Sequence, residues 1–160
     1  MSRLEVAYTV TTATGRTAGT ALVDSGADYT TLPFAEALEL GLDLCTAKIG
    51  AVGTAGENQA TGFFLRATVT VGRKSARIAV FAPVYIIAGK RRRRAKNTRR
   101  KIGHDFFQAT KAQISYHQHP PRLSGVLWAE EIEWKAATPK REEVAALRKL
   151  CTRWRELKRF

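Results

Sequence analysis

The chain has 160 residues, with 27 Lys or Arg against 14 Asp or Glu and a formal net charge of +13. Hydrophobic residues make up 44% and aromatics 9%, enough to build a core, which excludes a wholly disordered chain. The length argues for one domain with an appendage, and no apolar run reaches the span of a bilayer, so no membrane partner is expected.

The charge is unevenly placed. Lys90 to Lys101 carries nine Lys/Arg and no acid, and Thr138 to Phe160 carries eight Lys/Arg and three acids. The remainder holds 10 bases against 11 acids and is close to neutral. The basic character therefore belongs to two additions and says little about the core. Met1-Ser2-Arg3-Leu4-Glu5 runs straight into a strand-like pattern with no apolar leader core, so a cytoplasmic protein is expected. Cys45 and Cys151 stand far apart in no metal-like spacing, which reads as two free thiols in a reducing compartment.

In chain order, Leu4 to Val10 alternates and is rich in β-formers, so it predicts a strand. Thr14-Gly15-Arg16 signals a turn, and Gly19 to Val23 predicts a second strand that runs into Asp24-Ser25-Gly26. Leu32 to Gly41 predicts a short helix, with Pro33 near its start and Gly41 just past its end. Ile49 to Gly56 is glycine-rich between strand-like flanks. Phe63 to Val71 and Ala76 to Phe81 predict two more strands, joined at Val71-Gly72-Arg73-Lys74, with Val84 to Ile87 as a short apolar run after them. Lys90 to Lys101 reads as a solvated, mobile loop. Ile102 to Phe107 predicts the start of a short helix, and Ala112 to Tyr116 a closing strand.

His117 to Pro121 marks a boundary, and Leu127 to Trp134 is ambiguous. A helix is signalled over about 139–158. Thr138 stands as its N-cap, Pro139 at its first position and Glu142 and Glu143 in its early turns. Val144, Leu147, Leu150, Cys151, Trp154 and Leu157 form one apolar stripe, expected to dock on the core or on a second chain. Many short strands and few helices predict a mostly-β domain, closed or sandwiched, over residues 1–119, with the basic insertion at about 90–101. Residues 120–160 form a C-terminal extension ending in the basic amphipathic helix.

The chemistry concentrates at Val23-Asp24-Ser25-Gly26-Ala27-Asp28. An apolar strand delivers a carboxylate into a tight loop, where the small Ser25 and the bare Gly26 let another backbone approach closely. Alone, the tripeptide carries little, since roughly one chain in fifteen of this length holds one by composition. It equally reads as a turn in which Asp24 caps a backbone amide. The longer string from Ala21 to Pro33 is more specific and resembles the active-site loop of retropepsins, the retroviral and retrotransposon-type aspartic proteases. Two further segments follow in the family's order. Lys48 to Thr54 resembles the retropepsin flap, a glycine-rich hairpin that closes over substrate, and Ile102-Gly103-His104-Asp105 resembles the element that buttresses the active-site loop. Together they span Leu4 to Tyr116.

The resemblance implies a closed retropepsin-like β-barrel or sandwich. It implies an aspartic endopeptidase with Asp24, Ser25 and Gly26 as its catalytic loop, and Ala27, Asp28, Gly50, Ala51, Val52 and Gly53 along the substrate. Gly103 and His104 would be structural support, and no metal or organic cofactor is implied. One chain supplies one such loop, so a homodimer acting on a polypeptide is implied. The sequence departs from the family where His104 replaces a common Arg that pairs with the counterpart of Asp28. It departs again where Thr54 and Ala55 make the flap less glycine-rich.

Other candidates are poorer. His117 and His119 have no third ligand nearby and read as a polar linker. Ser25 lacks the surroundings of a serine nucleophile, and Trp128, Trp134 and Trp154 read as packing residues. The Lys90–Lys101 run can grip a nucleic acid or an acidic partner weakly through phosphate or carboxylate contacts. Two rival functions follow: a non-catalytic dimerisation or peptide-binding module on the same fold, and a nucleic-acid-associated protein acting through the basic loop and helix.

Overall fold

The computed structural model describes residues 4–24, 27–53, 59–88, 91–94, 99–110, 113–115, 122–124 and 139–157. The protein is mostly β. Strands β1 (Glu5–Thr11) and β2 (Arg16–Val23) form an antiparallel hairpin with Tyr8 opposite Gly19. Helix α1 (Phe34–Glu39) follows, preceded by Pro33 and left through Gly41 at φ +71°. That left-handed conformation suits a glycine. Strand β3 (Lys48–Gly53) then pairs with β4 (Gln59–Val71), and β4 pairs along its whole length with β5 (Lys74–Ala88).

Strand β4 organises the molecule. One edge carries β5. The other is shared, with β3 along residues 59–64 and β1 along residues 68–70. Its partnership with β5 sorts side chains onto two faces. Phe63, Leu65, Ala67 and Val69 stand opposite Ala82, Val80, Ile78 and Ala76, and all eight lie in the main core with Val10, Leu32, Ile102 and Phe106. Each fully buried Val, Ile or Phe there contributes about 2 kcal/mol. The other face brings Phe64 opposite Phe81, ring centroids 4.9 Å apart, in a second cluster with Tyr29 and Ala60.

The register slips by one residue at Gly62, which pairs with Pro83 while Thr61 pairs with Tyr85, so Val84 is extra on β5. A Cβ on Gly62 would lie 2.1 Å from the Ala82 carbonyl oxygen, so only glycine fits the bulge.

Strand β6 (Arg91–Arg94) pairs antiparallel with the end of β5, and β7 (Lys101–Ile102) lies parallel to the end of β2. The named strands run in the order β6-β5-β4-β1-β2-β7. Thr31 bridges β5 and β7, pairing with Phe81 on one side and Lys101 on the other, and β4 and β5 are long, at 13 and 15 residues.

Three expectations change. Part of the presumed basic loop is ordered structure, because a backbone hydrogen-bonds to a sheet edge whatever its side chains. Arg91 and Arg93 stay exposed there, as suits an edge strand. The expected closing strand, β8 (Gln113–Ser115), pairs instead with β9 (Arg122–Ser124) in a separate two-stranded sheet. The two cysteines are not free: Cys45 and Cys151 form a disulfide, with Cα atoms 5.4 Å apart. The reading of a reducing compartment loses the support it drew from free thiols.

The bridge anchors helix α3 (Arg141–Leu157). Its apolar stripe is docked: Leu147 and Cys151 are buried in the main core, and Val144 and Leu150 pack against it. The side chains of Trp154 and Leu157 lie outside the described set, as do residues 117–121 and 125–138 with Trp128 and Trp134. Among the described residues no helix is long and apolar enough to cross a membrane.

Candidate active site

Asp24 sits where β2 stops. The Val23 N–H donates to Leu4 O at 2.8 Å, and the Asp24 N–H donates to Ile102 O at 3.0 Å. The Ala27 N–H then donates back to Asp24 O at 3.1 Å, across the two positions of Ser25 and Gly26. Those two residues lie outside the described set. The Asp24 side chain is about one-third exposed, at 35%, and its Oδ2 lies 3.6 Å from Lys101 Nζ.

The loop beyond Asp24 is fixed at several backbone points. The His104 N–H donates to Ala27 O at 2.7 Å, and the Asp105 N–H donates to Asp28 O at 3.2 Å. The segment then threads between β5 and β7. The Thr31 N–H donates to Lys101 O, the Phe81 N–H to Thr30 O and the Leu32 N–H to Phe81 O, each at 2.9 Å. Ala27 is half-buried and Asp28 exposed. Gly103 has a steric reason to be glycine. A Cβ there would stand 2.4 Å from the carbonyl carbon of Tyr29 and 2.9 Å from the Thr30 nitrogen. Gly103 and His104 thus brace the loop through their backbones.

Two residues of this brace carry no catalytic signature and were not singled out from the sequence. Asp105, on the first turn of α2 (His104–Thr110), is buried. Its Oδ1 accepts from the Thr30 N–H at 3.0 Å, the Thr30 hydroxyl at 2.8 Å and the Phe106 N–H at 2.7 Å. The Thr30 hydroxyl oxygen in turn accepts from the Gly103 N–H at 3.1 Å. Asp105 therefore ties the loop that follows Asp24 to the start of α2 from inside. The available signal was a Thr after the Asp-Ser-Gly string and an acid in the first turn of a predicted helix.

Burial pushes the Asp105 carboxyl up to about 6, against the pull of the Thr30 and Phe106 hydrogen bonds and of nearby His104. A carboxyl raised in the folded state is favoured below its unfolded value near 4, and that contribution is lost as pH rises through about 6. Asp105→Asn keeps an acceptor for Thr30 but cannot ionise. Urea unfolding should therefore show the wild type losing about 2–3 kcal/mol more than the variant between pH 4 and pH 7. Equal pH slopes in the two proteins would show that Asp105 does not carry this term.

The hairpin of β3 and β4 pairs Gly50 with Gly62, Ala51 with Thr61, Val52 with Ala60 and Gly53 with Gln59. Its tip, with Thr54 and Ala55, lies outside the described residues. Gly50 and Ala51 are buried, while Gly53 is exposed and a Cβ on it would meet open space. Val52 packs against the cluster of Tyr29, Ala60, Phe64 and Phe81, and the Tyr29 and Phe64 rings meet edge-on at 4.9 Å. Because Tyr29 follows Asp28, this cluster links the hairpin to the loop that begins at Asp24.

The far end of the basic segment is built in as well. The Thr31 hydroxyl donates to Arg99 O at 3.0 Å, and Arg100 holds Glu36 of α1 through a forked guanidinium–carboxylate pair. Elsewhere, Asp43 lies beside Cys45 and Cys151. Both sulfurs are engaged in the disulfide, and Asp43 Oδ1 accepts from the Cys45 N–H, so this trio is not arranged as a metal site.

No protein-family model matches the chain, and no curated protein matches it.

Proposed function

We propose that the protein is an aspartic endopeptidase that works as a homodimer, with Asp24 of each chain forming the catalytic pair. The observation that carries this reading is the mounting of Asp24. It stands at a strand end, with its carbonyl bonded to the Ala27 N–H, its own N–H bonded to the β7 segment and the following loop braced by Gly103 and Asp105. A rigid mount of that kind suits a carboxylate that must hold a water in a set geometry.

Peptide hydrolysis by carboxylates needs two of them close together. One, ionised, takes a proton from water, while the other, protonated, polarises the scissile carbonyl; like charges so close share one proton. Asp28 is exposed and Asp105 is held by Thr30 within the chain, so the second carboxylate is assigned to another copy. The β3–β4 hairpin would cover the peptide, with Gly50 to Gly53 offering backbone groups, and Ser25 and Gly26 would shape the turn. The finer retropepsin-like architecture belongs to this proposal.

One observation favours the non-catalytic reading, a dimerisation or peptide-binding module: the ion pair between Asp24 and Lys101. A dilution series tests the enzyme. Activity per chain should rise with protein concentration and then saturate, and a pepstatin-type inhibitor, whose hydroxyl mimics the tetrahedral centre, should block it. Constant activity per chain at every dilution would rule out the homodimer mechanism.

A further inference from the structure

Lys101 is a cation placed where a peptidase built on Asp24 would cut. Its Nζ lies 3.6 Å from Asp24 Oδ2, and its side chain is 38% exposed. Its backbone cannot drift. Lys101 is paired with Leu22 of β2, and its carbonyl accepts from the Thr31 N–H at 2.9 Å. Only the flexible four-carbon stem can move, so the ammonium remains within one side-chain length of Asp24.

An ammonium held against a carboxylate that must accept a proton from water opposes that chemistry unless it finds another anion. The pair is weak enough to exchange, because both partners are partly in water, where such pairs contribute little. A carboxylate on the incoming peptide is the natural replacement. It would draw Lys101 away from Asp24, and the bound peptide would shed water and strengthen the new pair. A basic side chain at the same place would leave Lys101 on Asp24 and add a like charge.

We infer, resting on the peptidase reading above, that Lys101 is the specificity-determining residue and that it selects peptides with Asp or Glu beside the scissile bond. The ammonium provides the recognition, and the limited reach of its stem confines the acid to one of the two residues flanking the cut.

The test uses the full chain and two matched peptide sets carrying Glu, Gln or Lys at each flanking position. One set is cleavable, and the other has a reduced bond that binds without hydrolysis. Wild type should favour Glu over Lys by about tenfold or more in kcat/KM and in affinity for the reduced peptides. Lys101→Glu should reverse the order, and Lys101→Gln should bring the ratio close to one. Cleavage with no charge preference, or an acid preference surviving in Lys101→Glu, would overturn the inference and leave the peptidase reading standing. Charge-selective binding of reduced peptides that tracks residue 101, with no cleavage of any peptide, would support the acid-selecting site and remove the peptidase reading.

Discussion

Asp24→Asn should reduce peptide hydrolysis by about a thousandfold or more while the protein stays folded. The substitution keeps the size and planarity of the side chain but removes the group that can cycle between carboxylate and acid, and general acid–base catalysis of this kind is worth about 10²–10⁴-fold. The backbone bonds that fix residue 24, from its N–H to Ile102 and from Ala27 to its carbonyl, do not involve the side chain. The lost ion pair to Lys101 is partly exposed, so the stability change should stay within about 1 kcal/mol. Mixing gives a sharper readout than the variant alone. If one Asp24 comes from each chain, excess Asp24→Asn protein should suppress wild-type activity by trapping it in mixed dimers. Undiminished wild-type activity in the mixture would mean that each chain works alone. Full activity of the variant by itself would mean that Asp24 is not the catalytic group, and the non-catalytic or nucleic-acid readings would then take over.

The parts of this site that local patterns encode were legible in the sequence. The apolar run Gly19 to Val23 predicts a strand ending at Asp24, and β2 ends at Val23. Ile102-Gly103-His104 predicts a helix start, and α2 begins at His104. Pro33 and Gly41 bracket the first helix on both views. What stayed hidden depends on contacts far apart in the chain. Thr30 and Asp105 are 75 residues apart, and neither is unusual in its own neighbourhood. Arg91 to Arg94 read as a loop because nine cations in twelve residues repel one another. They form a strand because β5 offers an open edge, and the exposed side chains of Arg91 and Arg93 avoid the penalty. The separation of 106 residues between Cys45 and Cys151 gives no pairing signal, so only the docking of α3 reveals the disulfide. Lys101 looked like the last member of a charge run, and its distinct place comes from the parallel pairing of β7 with β2.

Cys151→Ser should lower the stability of the protein by about 3–5 kcal/mol, with the loss concentrated in the docking of α3. The bridge closes a loop spanning a sequence separation of 106, and chain-entropy estimates for a loop of that length approach about 5 kcal/mol. The helix depends on it because its buried face is mixed. Leu147 is buried and contributes about 2 kcal/mol, with smaller shares from half-buried Val144 and Leu150. Glu143 works against them. It is fully buried, and although one carboxyl oxygen accepts from the Thr61 hydroxyl, Oε1 has no hydrogen-bond partner among the described residues. A buried acceptor left unpaired costs about 1–3 kcal/mol. The bond from Arg148 to the Cys45 carbonyl at 2.7 Å is exposed and adds little. Without the covalent tie, the gain from Leu147 and the penalty at Glu143 come close to cancelling, and α3 should detach before the sheet unfolds. Amide exchange should then speed up over residues 141–157 in Cys151→Ser, while Phe63 to Val69 and Ala76 to Ala82 keep their protection. Adding Glu143→Leu, which removes the unpaired oxygen, should restore about 1–3 kcal/mol and slow the exchange again. If α3 exchanges as slowly in Cys151→Ser as in the wild type, packing alone holds the helix, and the disulfide is not what keeps it in place.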